Sequence, residues 1–213
     1  MIWFGLLNLV LAQDISTDRP SVAASASVVD KGSVQVEAGY QRSLATTGNS
    51  DDWMTMVRWG LHPNLEIRPY HTLNFADPTN IAVGLQAKAT LYSSDTSVVG
   101  LLASTDLSLD SGGSSLIALW DFSGEKLSGW FNGGTMIDNT TFDLTPIVLV
   151  GTGTEVADGH SLYVETGWSA TPFISTGYCR SFGTYQLDLF GIGYPLADIP
   201  LWQTGLGISW KIR

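Results

Sequence analysis

The sequence predicts an all-β protein, a single antiparallel transmembrane β-barrel of about twelve strands. Three observations carry this expectation. Hydropathy alternates with period two from Ser33 onward, and no segment shows a convincing 3.6-residue stripe. Charge is scarce: 14% of the 213 residues are Asp, Glu, Lys or Arg, against about a quarter in an ordinary soluble domain. The 8 tryptophans fall mostly on the apolar parity, near strand ends. An internal apolar run of about 18 residues, the mark of a transmembrane helix, is missing.

Three segments follow in order. Residues 1–12, MIWFGLLNLVLA, are apolar apart from Asn8. They are too short to span a bilayer and suit the core of a signal peptide, with Val10 and Ala12 ahead of a cut before Gln13. An N-terminal strand is the other reading, but the run does not alternate and carries no basic start. Residues 13–32 hold Thr17-Asp18-Arg19-Pro20 and then small side chains. This stretch is either a flexible periplasmic leader or a lumen plug in which Asp18 and Arg19 pair with wall charges. The lack of a long loop able to close the barrel motivates the plug. Residues 33–213 form the barrel.

Strand after strand, one face is apolar and the other polar. Val34, Val36, Ala38 and Tyr40 oppose Gln35, Glu37, Gly39 and Gln41. Ile81, Val83, Leu85, Ala87, Ala89 and Leu91 oppose Ala82, Gly84, Gln86, Lys88, Thr90 and Tyr92. The last strand sets Trp202, Leu206, Ile208 and Trp210 against Gln203, Gly205, Gly207, Ser209 and Lys211. Residues 127–137 are glycine-rich and ambiguous in facing, and Pro146 suggests a bulge or an edge position. Twelve strands over residues 33–213 leave about 15 residues for each strand and turn, enough for the 9–11 that cross a bilayer. An even count puts both termini on the periplasmic side. The connection 62–64 is then a periplasmic turn, and 45–51, 74–80 and 195–201 are external loops.

The polar face decides between a membrane barrel and a soluble one. A secreted β-sandwich or lipocalin-like binder turns its polar face to water and dresses it with Lys and Glu. Here that face is Gly, Ser, Thr, Gln and Tyr with scattered single charges, as expected of a crowded lumen. The apolar face carries Trp53, Trp59, Trp120, Trp168, Trp202 and Trp210, assigned to interfacial girdles. The lumen-lining candidates are Glu37, Arg58, Glu66, Arg68, Tyr70, Lys88, Tyr92, Asp106, Tyr163, Glu165, Asp188 and Lys211, with Asp121 on the same parity. Their charges read in two ways: an ion-pair network that satisfies buried groups, or a constriction that selects solutes by charge. Tyr70, Tyr92 and Tyr163 either fill a narrow lumen or line a path for aromatic solutes.

Several motifs carry a resemblance. Ile15-Ser16-Thr17-Asp18-Arg19-Pro20 is followed by Lys31-Gly32 and by Val34-Gln35-Val36-Glu37-Ala38-Gly39-Tyr40. Arg58-Trp59-Gly60-Leu61, Leu65-Glu66-Ile67-Arg68, Tyr163-Val164-Glu165, Gln186-Leu187-Asp188 and Gly205-Leu206-Gly207-Ile208-Ser209 continue the order. Nearly end to end, the chain resembles the outer-membrane transporter family linked by name to the MetA pathway of phenol degradation. The resemblance implies a bacterial outer-membrane β-barrel with a transport role. One departure is the terminal Trp210-Lys211-Ile212-Arg213, where such barrels commonly end in an aromatic residue read by the assembly machinery.

The expected function is a passive transporter or narrow porin for small solutes, aromatic or hydrophobic ones among them. Expected partners are outer-membrane lipids, the assembly machinery and a small-molecule solute. A net charge of −10 argues against nucleic acid. No cofactor, metal site or catalytic residue is expected: one Cys and scattered His62, His71 and His160 offer no ligand spacing, and no Gly-x-Ser-x-Gly elbow is present. A lumen-blocked structural or surface-binding barrel and a soluble secreted β-protein are the alternatives.

Overall fold

A computed structural model describes residues 17–18, 22–45, 48–77, 81–107, 112–196 and 201–212. The described residues contain twelve strands and no helix. The strands are β1 (Val34–Ala45), β2 (Gly48–His62), β3 (Leu65–Asn74), β4 (Ile81–Ser93), β5 (Ser97–Asp106) and β6 (Gly113–Ser123). They continue as β7 (Ser128–Asp138), β8 (Leu144–Ala157), β9 (His160–Ser169), β10 (Thr171–Phe182), β11 (Tyr185–Tyr194) and β12 (Leu201–Ile212). Each pairs antiparallel with its sequence neighbour, and β1 closes the ring on β12 from Val34↔Ile212 to Ala45↔Leu201. Closure leaves no strand edge, which is what a sheet needs where no water is present to satisfy free backbone groups.

The period-two pattern becomes two surfaces. Outside, the apolar parity stands exposed, with Ile81, Leu85, Leu189, Leu206 and Ile208 among many. Trp59, Trp120 and Trp210 lie toward the end where β1 begins, and Trp53, Trp168 and Trp202 toward the opposite end; all six are exposed on the outer face. Inside, Gln35, Glu37, Arg58, Glu66 and Lys88 are each 0% exposed. A band of exposed aliphatic side chains around a charged, fully buried interior is the inverse of a water-soluble barrel. It is the arrangement of an outer-membrane barrel in lipid.

The two ends differ. At the β1 end the connections are 63–64, 94–96, 124–127, 158–159 and 183–184. At the far end, 75–80, 107–112, 139–143 and 195–200 are longer, while 46–47 and residue 170 are tight. The expected external loop 45–51 is therefore corrected: β2 starts at Gly48, and residues 48–51 pair with β1 from Gly48↔Ala45 to Asp51↔Arg42. Pro146 sits in β8 opposite Thr135, just beyond the point where β8 begins to pair with β9 at Ile147↔Ser169, so its missing N–H costs no ladder bond there.

The facing of Tyr92 is also corrected. The β4–β5 register slips between Thr90↔Gly100 and Tyr92↔Val99. The extra residue shifts parity by one. Tyr92 consequently joins Val99 on the outer face, 58% exposed, and does not line the lumen.

Candidate functional site

The lumen is built from side chains of the inward parity, and its charges gather toward the β1 end. Arg58 of β2 reaches Glu37 of β1 at 3.0 Å and Glu66 of β3 at 3.1 Å. Arg68, two residues along β3, pairs with Glu66 through Nε, and Lys88 of β4 approaches Glu66 at 3.5 Å. These groups adjoin because Glu66 and Lys88 are register partners, and Arg58 lies two residues before Gly60, the register partner of Glu66 on β2. All five are buried, so each charge requires compensation.

The N-terminal segment lies in this lumen. Asp18 pairs with Arg68, and its carboxylate is 3.4 Å from Lys88 Nζ and 3.9 Å from Arg58 Nη1. Burial alone would raise the Asp18 carboxyl. The charges of Arg68, Lys88 and Arg58 outweigh burial and hold it well below the usual carboxylate range. The Ser25 amide donates to Asp18 Oδ1 at 3.1 Å.

Residues 22–30 have no regular structure of their own, and the wall satisfies their backbone. Glu165 accepts from the amides of Val22 (2.9 Å) and Ala23 (3.3 Å), Asp121 from that of Ala26 (2.7 Å), and Glu66 from that of Val29 (2.6 Å). In the other direction, Asn132 donates to the Ala24 carbonyl (3.1 Å), Lys88 to Ser25 (2.8 Å) and Thr90 to Ala26 (2.9 Å). At the exit toward β1, Lys211 Nζ meets Asp30 at 2.7 Å, and the Gly32 amide donates to the Gly60 carbonyl.

Small side chains let the segment fit. Ala23 packs with Ile147, Leu149, Tyr163, Phe173, Phe190 and Ile192, while Ala26 packs with Leu102 and Leu119. Two wall glycines admit its backbone. A Cβ at Gly60 would overlap the carbonyls of Val29 and Asp30, and one at Gly100 would stand 3.0 Å from the Ala26 carbonyl oxygen.

The segment stands between two cavities. One, about 460 Å³, opens among Trp130, Tyr163, Gln186 and Asp121 toward the β1 end. The other, about 450 Å³, lies on the far side among Gln41, Tyr70, Gln86 and Phe190, with Asp18 and Arg68 in its wall. Ala23 and Ala24 line both.

Of the residues expected to line the lumen, Glu37, Arg58, Glu66, Arg68 and Lys88 come together in one network with the plug candidate Asp18, and Glu165 and Lys211 hold the segment elsewhere. Tyr70 and Asp106 form a separate pair nearer the far end. Tyr163 packs against Trp130 with ring centroids 6.4 Å apart, and Asp188 is buried on β11. Arg19 and the proposed signal peptide, residues 1–12, lie outside the described residues. His71 is exposed on β3, and His160 is 2.6 Å from the Tyr178 hydroxyl. The described residues hold no group of three or more His, Cys, Asp or Glu arranged for a metal.

Sequence reasoning missed Asn132 and Trp130. Both are inward residues of β7; Trp130 donates Nε1–H to Glu165 at 2.9 Å. Their strand carries Gly129, Gly133 and Gly134, so hydropathy did not separate its faces. The signal available was register: β7 pairs with β6 through Asp121↔Trp130, and Asp121 was already assigned inward.

No family model matches the chain, and no curated protein does. Solved structures do. The KdgM porin matches with a TM-score of 0.63 at 6% identity, covering 83% of this chain and 99% of that one. The NanC porin matches at 0.63 and 8%, covering 84% and 100%. The COG4313 outer membrane channel from Pseudomonas putida F1 matches at 0.61 and 12%, covering 89% and 99%. At such identities the likeness is one of fold: the chain has the closed β-barrel fold of outer-membrane channels and porins.

Proposed function

We propose that the chain is a passive channel of the bacterial outer membrane, a narrow pore for small solutes in which residues 13–32 act as a plug. The carrying observation is the pair of cavities, about 460 and 450 Å³, separated by the N-terminal segment. A barrel with a purely structural role has no need of two solvent-sized chambers along its axis. The fold shared with porins and channels supports the same reading. The short connections at the β1 end suit the periplasmic side, where turns are short. The six outer tryptophans, in two groups of three, suit the two interfaces. The motif resemblance to the phenol-linked transporter family favours small aromatic or hydrophobic solutes. The apolar arc of Leu149, Phe190 and Ile192 in the far chamber agrees with it.

Liposome swelling tests the proposal. Vesicles holding the purified full chain should admit small solutes slowly, and Asp18→Ala should speed their entry, because it removes the charge that seats the segment. No entry with either protein would leave the lumen-blocked structural barrel as the correct reading.

A further inference from the structure

We infer that the place occupied by the Asp18 carboxylate is a binding site for a small organic carboxylate with an apolar body, and that such acids are the solutes this lumen is built to select. The inference rests on the channel reading above and adds the solute class to it.

Among the described residues of the network, Asp18 is the member not supplied by the barrel wall. The other five are Arg58, Arg68 and Lys88 against Glu37 and Glu66. Arg58, Arg68 and Lys88 converge on the carboxylate of Asp18, an anion that the segment and not the wall supplies at this point. Every one of the five is at most 1% exposed. Cations buried this deeply are costly unless an anion stands among them, so the wall is an anion receptor whenever the segment moves away. The receptor is shaped for a carboxylate, because it already holds one: a guanidinium of Arg68 at one side, with Lys88 Nζ at 3.4 Å and Arg58 Nη1 at 3.9 Å. Arg68 is held in orientation by Glu66 and by Gln86 Oε1 at 3.4 Å.

Access and body shape complete the site. Asp18 and Arg68 form part of the wall of the far chamber, which a solute entering from that end reaches before the segment. Across the same chamber stand Leu149, Phe190 and Ile192. A carboxylate seated where Asp18 now lies therefore places its hydrocarbon part against an apolar surface. In this mechanism the solute exchanges with Asp18: one carboxylate leaves the cationic cluster as another enters, charge balance is kept, and the segment is released from its electrostatic seat.

The test uses the purified full-length chain with Asp18→Asn, which keeps the side-chain shape and removes its charge. Barrel closure is verified by heat-modifiable migration, and butanoate and butanamide are titrated by calorimetry. Butanoate should bind Asp18→Asn at least tenfold more tightly than the unaltered chain, where it must expel Asp18. Butanamide should show no such preference, and adding Arg68→Gln to Asp18→Asn should abolish butanoate binding. Equal butanoate affinity in both proteins, or butanamide binding that matches butanoate, would overturn the inference. If Asp18→Asn does not close, Asp18→Ser is read by the same criteria. Calorimetry needs no conduction, so loss of this site and loss of the channel reading are separate results.

Discussion

At the scale of single residues, the lumen is an exercise in charge compensation. Lys88 touches the wall carboxylate Glu66, the segment carboxylate Asp18 and the Ser25 carbonyl at once. Lys88→Met keeps the length and deletes the charge, leaving two buried carboxylates short of a partner. A loss of about 3 kcal/mol is expected, measured by urea unfolding in lipid vesicles. Acidification acts through Asp18. Its carboxyl is depressed in the folded state, so its stabilising contribution is complete above the ordinary value of 3.8 and is lost only as pH falls further. Conductance should therefore be unchanged between pH 7 and pH 5, and a rise in that interval in planar bilayers would assign segment release to another group. Facing was legible for Glu37, Glu66 and Lys88, because each sits in a clean alternation with apolar neighbours; Arg58 shares its parity with Met54 and Met56, which blurs the pattern. It was not legible for Tyr92, because a bulge is a property of two strands and leaves no mark in the hydropathy of one.

At the scale of elements, the twelve strands were readable and the course of residues 17–30 was not. Strands announce themselves by period. The N-terminal segment has no period, since its backbone bonds go to carboxylates, an amide, an ammonium group and a hydroxyl from β3, β4, β6, β7 and β9. Sequence suggested that Asp18 seeks wall charges, but the wall glycines that receive the segment looked like any other lumen glycine. Gly100 is the clearest case. It pairs with Thr90 at the edge of the β4 bulge, and a Cβ there would stand 3.0 Å from the carbonyl oxygens of both Ala26 and Ala89. Gly100→Val should lift the segment from its seat without opening the barrel. Single-channel conductance should rise, with heat-modifiable migration retained. Loss of that migration would mean that Gly100 serves the strand itself.

At the scale of the whole molecule, an ordinary domain has been turned inside out. Its apolar side chains face outward around the circumference, and a cluster of charged side chains is buried with a strand-free piece of its own chain, while others such as Asp95, Glu125 and Asp158 stand exposed near the ends. This accounts for a composition poor in charge yet lacking a membrane helix. It also predicts behaviour in detergent: the unheated chain should migrate as a compact closed barrel on a denaturing gel and shift on boiling, as a soluble β-sandwich would not. The central claim is that the N-terminal segment divides the lumen and governs passage. Single-channel recording in planar bilayers, comparing the unaltered chain with Asp18→Ala, tests it most directly. The account predicts small or rare openings for the unaltered chain and severalfold larger conductance for the variant. Identical conductance in the two, with both barrels closed, would contradict it.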